Sequence, residues 1–178
     1  MVSQKESAYN ELIYIGIGTN LGNRLDNIKV AMKEISSLGI RVIRTSSIYE
    51  TPAWGFESGD LFLNAVFECE SPIKPMDCLK ALQFVEKKMG RQKTLKEGYE
   101  SRIIDLDILL YKDQQISLPE LTIPHTYITE RQFVIEPMHE LTGSFFFHSL
   151  KNNFEDLKIK FENPEFPFVV YNPPLVNE

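Results

Sequence analysis

The stretch Arg102–Tyr111, with the sequence RIIDLDILLY, is an apolar, β-branched run that contains two aspartates, Asp105 and Asp107. Successive side chains of a β-strand alternate between its faces, so the two aspartates point to one face and Leu106, between them, points to the other. Two neighbouring carboxylates on a half-buried strand repel each other and lose hydration. The strand therefore predicts a source of positive charge beside Asp105 and Asp107.

This charge can come from a metal ion with bound phosphates or from basic side chains of the protein. Mg²⁺ takes one or two carboxylates and completes its octahedron with water and phosphate oxygens. Arg102, three residues before Asp105, carries the planar fork of donors that binds phosphates. The alternative is an exposed strand face that is salt-bridged to basic neighbours, and the segment by itself does not decide between the two.

The composition of the chain limits its organisation. With 178 residues, of which 43% are hydrophobic, the chain is long enough for one substantial core and short for two. The net charge of −6 argues against a general nucleic-acid binder. Basic residues nevertheless cluster before the aspartate strand, at Lys87, Lys88, Arg91, Lys93, Lys96 and Arg102. This cluster is either a solvated loop and helix end or a phosphate clamp, and its proximity to Asp105 favours the clamp.

The cysteines and the N-terminus bear on the compartment. Cys69 and Cys78 stand apart from any metal-like cluster, which favours free thiols in a reducing cytosol, although a disulfide stays open. The polar stretch 1–11 lacks the apolar core of a signal peptide, and no segment approaches the roughly eighteen apolar residues of a membrane span. We therefore expect a cytoplasmic protein with no membrane partner.

The hydrophobic pattern predicts alternating strands and helices. It gives a strand over 12–18, a helix over 25–38, strands over 40–48 and 61–70, a helix from about Pro75 to Gly90, and the aspartate strand over 103–111. The stretch 49–60 is rich in proline and glycine and is predicted to be a long loop, and a hairpin or short edge strand is expected over 112–116. The order β-α-β-β-α-β is the ferredoxin-like arrangement, so we expect an α+β fold with an antiparallel sheet and the helices on one face.

Six sequence blocks, in chain order, resemble the 6-hydroxymethyl-7,8-dihydropterin pyrophosphokinases of folate biosynthesis. The blocks are IGIGTNLGNR, SSIYETPAWG, FLNAV, GRQK, RIIDLDILLY and LTIPHTYITERQFVIEP. The most specific parts are the R-x-x-D-L-D-I-L strand and the T-x-P-H segment with its downstream R-x-F. The resemblance covers about Leu12 to Leu141 and implies an enzyme that transfers the diphosphate of ATP to the hydroxymethyl group of a reduced pterin, with release of AMP.

The resemblance also implies which residues act on the phosphates. Asp105 and Asp107 would be catalytic and would hold two Mg²⁺ ions, with ATP as the co-substrate. Arg91 and Arg102 match the family's phosphate-gripping positions, which makes them both catalytic and ATP-binding. No nucleophilic side chain is needed, since alignment and electrostatics carry such a transfer.

Five further residues are assigned to ATP by the same resemblance: Glu86, Ile108, Thr122, His125 and Arg131. His125 would donate a hydrogen bond to a phosphate oxygen, although a lone loop histidine is more often a satisfied surface residue. Glu86 has an equally good alternative as a solvated helix-end partner of Lys87 or Lys88, and Arg131 has one as a partner of Glu130. The backbone near Ile108 and Thr122 would recognise adenine.

The pterin site is implied to be a slot between aromatic planes with a polar edge. Its residues are Thr51, Pro52, Trp54, Phe62, Asn64, Tyr99 and Phe133. Phe62 and Phe133 occupy the stacking positions, although alone they would more often be core residues, and Asn64 is the amide partner. Thr51, Pro52 and Trp54 lie where the family uses backbone groups, and Tyr99 would be an aromatic lid.

The chain also departs from the family pattern. Many relatives have an aromatic-Gly-Pro-Arg run before the aspartate strand, whereas this chain has Tyr99-Glu100-Ser101-Arg102, which leaves the reach of Arg102 open. Lys93 stands where arginine is frequent and loses the bidentate fork. Thr126 follows His125 where tyrosine or proline is common.

We expect a flexible tail over 1–11, a pyrophosphokinase domain over 12–150 and an irregular extension over 151–178 that packs on the same domain. The expected partners are ATP and the reduced pterin, with no nucleic acid and no membrane, and the expected state is a monomer. Two other classes are to be separated by experiment: a ligand-binding module that kept the scaffold, and a metal-dependent phosphohydrolase.

Overall fold

The computed structural model describes residues 11–55, 59–91, 101–160 and 168–171. Residues 1–10, which make up nearly all of the expected tail, lie outside the described residues, and so do Tyr99, Lys93 and Lys96. Glu11, the last residue assigned to the tail, begins the first strand.

The main sheet is built largely from the predicted strands. Strand β1 (Glu11–Thr19) lies between β4 (Phe62–Ser71) and β5 (Asp105–Tyr111) and pairs antiparallel with both. Helix α1 (Arg24–Ser37) follows β1, and α2 (Pro75–Lys88) connects β4 to β5. Helix α1 is capped by Asn23, whose Oδ1 accepts a hydrogen bond from the Asp26 amide at 3.3 Å. These elements confirm the predicted α+β class with an antiparallel sheet.

The predicted second strand is divided into two, so the prediction of one strand over 40–48 followed by a loop is wrong at its end. Strand β2 (Arg41–Thr45) pairs with the C-terminal half of β4, and β3 (Ile48–Thr51) pairs with its N-terminal half. Ser46 lies at the break, where its Oγ accepts the Val66 amide at 2.9 Å. A serine side chain that bonds backbone in this way interrupts the regular ladder.

The two faces of the sheet are covered differently. Helices α1 and α2 pack on one face, as the fold class predicts, and bury residues such as Ile15, Ile28 and Leu82. The opposite face carries Val66 and Leu109 beneath two helices that the sequence pattern did not predict, α3 (Gln132–Thr142) and α4 (Phe154–Ile159). These two helices leave part of the sheet uncovered.

The segment after β5 is more regular than expected. A hairpin is present, but it lies later than the predicted 112–116: β6 (Ile116–Leu118) pairs with β7 (Leu121–Ile123) in a separate two-stranded sheet and adds no edge strand to the main sheet. The extension 151–178 was expected to be irregular, but α4 lies in it, and so does β8 (Phe168–Tyr171), which pairs with β3. No helix among the described residues is long and apolar enough to cross a membrane.

Candidate active site

Strand β5 brings the two aspartates to the uncovered part of the sheet. Asp105 lies opposite Gly18 of β1 in register, and Asp107 lies opposite Gly16. Leu106, between them, is buried on the face of α1 and α2. The alternation predicted from the sequence is therefore confirmed, and both carboxylates open into one cleft.

Most of the predicted site residues line this cleft: Thr51, Pro52, Trp54, Phe62, Asn64, Arg102, Asp105, Asp107, Arg131 and Phe133. Arg91 contacts Asp105 and His125 lies beside Asp107, so both adjoin the cleft, and Glu86 pairs with Arg91. Ile108 is buried on the opposite face of β5, and Thr122 is exposed on the neighbouring hairpin, so their side chains point away from the cleft floor. Recognition of adenine by the backbone near Ile108 and Thr122 stays a prediction.

Arginines surround Asp105 at what we call the basic end of the cleft, made of Glu86, Arg91, Arg102 and Asp105. Nη1 of Arg91 lies 2.6 Å from Oδ1 of Asp105, and Nη1 of Arg102 lies 2.6 Å from Oδ2. Each carboxylate oxygen thus has its own guanidinium, an arrangement that compensates the charge of Asp105. The positive charge predicted for this strand is supplied here by arginine.

Glu86 joins the end of α2 to the basic end. Its carboxylate accepts a hydrogen bond from the Leu106 amide at 2.8 Å and pairs with Arg91. Burial raises the pKa of Glu86, while the Arg91 charge and the Leu106 amide oppose this rise. The predicted alternative of a solvated pair with Lys88 is wrong, because Glu86 is buried and Lys88 pairs with Glu34 at 2.6 Å.

Asp107 is less well compensated than Asp105. Its Oδ2 lies 3.8 Å from Nε2 of His125 and 3.9 Å from Nη1 of Arg131. Withdrawal from water raises the pKa of Asp107, and the charge of Asp105 raises it further. A cation placed at Asp107 would relieve this unfavourable charge.

The ring of His125 is held in one orientation. Its backbone amide donates to the carbonyl of Leu109 at 3.0 Å, and the Tyr127 amide donates to Nδ1 at 3.2 Å. Since Nδ1 accepts a hydrogen bond, the neutral ring carries its hydrogen on Nε2, the nitrogen that faces Asp107. Burial, and then the charge of Arg131, lower the pKa of His125 to about 4, so the ring is a neutral donor near pH 7.

Arg131 is buried under rings at what we call the aromatic end of the cleft, made of Trp54, Tyr127, Arg131 and Phe133. Its Cζ lies 4.7 Å from the Trp54 ring, 5.1 Å from Tyr127 and 5.7 Å from Phe133. These are cation–π distances, and they hold the guanidinium in the cleft beside Asp107. Arg131 is only 7% exposed.

A polar edge lies next to the rings, on β3 and β4. Nδ2 of Asn64 donates to Oγ1 of Thr51 at 2.8 Å, and both side chains are buried. A Cβ at Gly18 would lie 3.1 Å from Oδ1 of Asn64, so glycine is what lets the amide approach the floor of the cleft. Phe62 and Phe133, which could have been core residues, line the cleft beside this edge.

The acids suit a metal that is shared with a ligand. Among the described residues no group of three or more histidine, cysteine or acidic side chains is placed to hold a metal ion. Two carboxylates on one face fit Mg²⁺ that brings water and phosphate oxygens as its other ligands. The donor set therefore fits metal carried with a polyphosphate and does not fit a closed structural site.

Two polar residues that contact the lining of the cleft were missed by the sequence reasoning. Asn20 bonds the backbone of Arg102, and Tyr127 packs against Trp54 with ring centroids 5.5 Å apart. Each contact joins residues far apart in the chain. Only the asparagine in the turn after β1 gave a local signal.

Fold and cleft together define an α+β protein whose site suits the transfer of phosphate groups beside a flat second ligand. The family model for 7,8-dihydro-6-hydroxymethylpterin-pyrophosphokinase matches residues 14–143. The pyrophosphokinase of Aquifex aeolicus, named for 2-amino-4-hydroxy-6-hydroxymethyldihydropteridine, is 36% identical over 129 residues, which cover 72% of this chain and 79% of that protein. The chain belongs to the 7,8-dihydro-6-hydroxymethylpterin-pyrophosphokinase family.

Other relatives are much longer than this chain. A folic acid synthesis protein of Pneumocystis carinii is 35% identical over 175 residues, which cover 96% of this chain and 23% of that protein. Among solved structures, the HPPK-DHPS of Plasmodium falciparum aligns with a TM-score of 0.67 at 16% identity, over 88% of this chain and 45% of that one. At that identity the structural likeness supports the fold alone.

Proposed function

We propose that this chain transfers the diphosphate of ATP to the hydroxymethyl group of 6-hydroxymethyl-7,8-dihydropterin, with release of AMP, in folate biosynthesis. The observation that carries the proposal is the position of Asp105 and Asp107, side by side between arginines at one end of the cleft and aromatic rings at the other. Membership of the pyrophosphokinase family supports the same reaction.

The proposal assigns the phosphates to the basic end. Asp105 and Asp107 would hold two Mg²⁺ ions, which would neutralise the triphosphate and acidify the attacking hydroxyl. Arg91 and Arg102 would exchange Asp105 for phosphate oxygens, stabilising the charge that develops during transfer. The Nε2–H of His125, which faces Asp107, would donate to a phosphate oxygen there.

The second substrate is assigned to the aromatic end and its polar edge. Phe62 and Phe133 would stack on the two faces of the pterin, and Asn64, fixed by Thr51, would bond its edge. The backbone of Pro52 and Trp54 would read the rest of the ring, and Tyr99 would cover it. The adenine of ATP would be recognised by backbone groups of Ile108 and Thr122.

We also propose a cytoplasmic monomer whose partners are its small-molecule substrates. The support for a reducing compartment is that Cys69 and Cys78 are both buried and free. Sedimentation of the purified chain tests the monomer, and a dimer at micromolar concentration would overturn that part.

The reaction is tested by following AMP formation from ATP and Mg²⁺ with and without 6-hydroxymethyl-7,8-dihydropterin. We expect AMP only when the pterin is present, in equal amount to the pterin diphosphate. Inorganic phosphate or diphosphate released without pterin would indicate a phosphohydrolase. Binding of both ligands without turnover would indicate a binding module.

A further inference from the structure

Asn20, directly after β1, binds a segment that lies far away in the sequence. Its Oδ1 accepts the Arg102 amide at 2.7 Å, its Nδ2 donates to Oγ of Ser101 at 2.9 Å, and its own amide donates to the Arg102 carbonyl at 3.1 Å. The residue is 5% exposed. Three hydrogen bonds therefore tie one buried asparagine to two consecutive residues.

The next residue of that segment is held from the same side. Oγ1 of Thr19 donates to the Ile103 carbonyl at 2.5 Å, and Nδ2 of Asn27 donates to the same carbonyl at 3.1 Å. Residues 101–103 precede β5 and have no strand neighbour of their own among the described elements. Side chains from the turn after β1 and from α1 thus perform the task that a sheet ladder performs elsewhere.

These hydrogen bonds fix the backbone position of Arg102. Its guanidinium reaches Asp105 at 2.6 Å, and its side chain is 16% exposed. A displacement of about 1 Å at a positioning contact can cost 100-fold in rate. The backbone of Arg102 therefore has to be held, and Asn20 is the side chain that bonds its amide.

We propose that Asn20 is a positioning residue for Arg102, and that Ser101 supplies the second arm of this contact. The inference rests on the proposed function, since it assumes that Arg102 binds the phosphates of ATP. The Ser101 hydroxyl gives Asn20 a second partner beside the Arg102 backbone, because its Oγ accepts from Nδ2 of Asn20 at 2.9 Å.

The test is a double-mutant cycle between Asn20→Ala and Arg102→Ala, with kcat and KM for ATP and for the pterin. We expect Asn20→Ala to lower kcat/KM for ATP by about 10- to 100-fold, with KM for the pterin changed by less than twofold. In the Arg102→Ala background the same substitution should have no further effect on kcat/KM for ATP. Multiplicative losses in the double variant, or a pterin KM that rises in parallel, would show a merely structural role and overturn the inference.

Two further variants keep the test decisive. Ser101→Ala removes one arm at an exposed position, so it should fold and lose about threefold in kcat/KM for ATP, again only when Arg102 is present. Asn23→Ala removes the cap of α1 without touching residues 101–103 and controls for a loss of stability. If Asn20→Ala does not fold, a Ser101→Ala effect that persists without Arg102 overturns the inference.

A binding arm separates this inference from the proposed function. Calorimetry with a non-hydrolysable ATP analogue and Mg²⁺ should show about tenfold weaker binding for Asn20→Ala, absent in the Arg102→Ala background. Wild-type protein that binds the analogue in this way but forms no AMP would refute the proposed function and retain the role of Asn20. Pterin-dependent AMP formation with unchanged analogue binding by Asn20→Ala would refute the role of Asn20 alone.

Discussion

The two ends of the cleft treat two aspartates of one strand differently. At the basic end, each oxygen of Asp105 has an arginine nitrogen at 2.6 Å. Nearer the aromatic end, Asp107 has its basic neighbours His125 and Arg131 at 3.8 and 3.9 Å, and its pKa is raised. Asp105 is therefore compensated by two arginines of the protein, whereas the charged form of Asp107 is disfavoured. The difference teaches that one strand can carry two aspartates whose charges are balanced to different degrees.

The largest effect is expected when either aspartate of this pair is removed. Asp105→Ala and Asp107→Ala should each lower the rate of diphosphate transfer by about 100- to 1000-fold, because the charge of the triphosphate is then left without its metal. AMP formation under saturating substrates is the measurement, and Asp77→Ala, at an exposed acid on α2, is the control. A loss at only one aspartate would mean that the two carboxylates do not bind metal together.

A smaller effect is expected at the basic end, where a substitution should change the KM for ATP and leave the KM for the pterin nearly unchanged. Arg102→Lys keeps the charge and loses the planar fork, so KM for ATP should rise about tenfold. KM for the pterin should stay within twofold, because Arg102 contacts Asp105 on the side assigned to phosphate. Initial rates with each substrate varied in turn give both constants. A rise confined to the pterin KM would reverse the assignment of the two ends.

The matching substitution at the aromatic end should give the opposite pattern. Phe133→Leu removes a stacking plane and keeps an apolar side chain, so KM for the pterin should rise by about 5- to 10-fold. KM for ATP should be unchanged, and the melting temperature serves as the control for packing, since Phe133 also contacts the core under α3. Equal rises in both constants would show damage to the fold rather than loss of stacking.

His125 gives a pH dependence of stability. Its pKa is about 4 in the folded chain, below the ordinary value of about 6.5, so the unfolded chain takes up the proton first as the pH falls. The free energy of unfolding should therefore drop between pH 6.5 and 4, by about 2 kcal/mol at pH 5 from this residue. Urea unfolding of wild type and His125→Gln at pH 7 and 5 measures the difference. Identical pH dependence in the two proteins would contradict the buried, neutral ring.

The smallest expected effect concerns Asp107 in the absence of metal. A carboxyl whose pKa is raised on folding destabilises the fold as the pH rises from about 4 through the raised value, because only the unfolded chain ionises readily. Asp107→Asn should thus raise the stability at pH 8, by less than about 1 kcal/mol because the side chain is partly exposed, and leave it unchanged at pH 4. Thermal unfolding in chelator at both pH values is the measurement. If Asp107→Asn were instead destabilised at pH 8, we would conclude that a fixed positive charge stabilises the ionised Asp107 in the folded chain.

Local sequence pattern was sufficient for five elements. Helices α1 and α2 were predicted from apolar positions at helical spacing, β4 from alternation, and β1 and β5 from short apolar runs. Helix α3 was not predicted, because it contains Pro137, and an internal proline argues against a helix in sequence. β8 is four residues long and pairs with the distant β3, so no local pattern marks it.

The residues of the site were predicted from different kinds of evidence. Spacing alone gave the shared face of Asp105 and Asp107 and the nearby Arg102, whereas His125, Asn64 and the aromatic residues came from the family resemblance. The division at Ser46 and the contact of Asn20 with Ser101, 81 residues away, depend on tertiary packing. Such contacts leave no periodic trace, because each involves a single polar side chain.

The ring of Trp54 over Arg131 has a practical consequence. The chain contains one tryptophan, and its ring is 36% exposed at the mouth of the cleft. Indole emission responds to a neighbouring cation and to the polarity around it, so the intrinsic fluorescence of this protein reports from a single position. Ligand entry can therefore be followed in the unlabelled chain, in real time, with no dye to disturb the surface it enters.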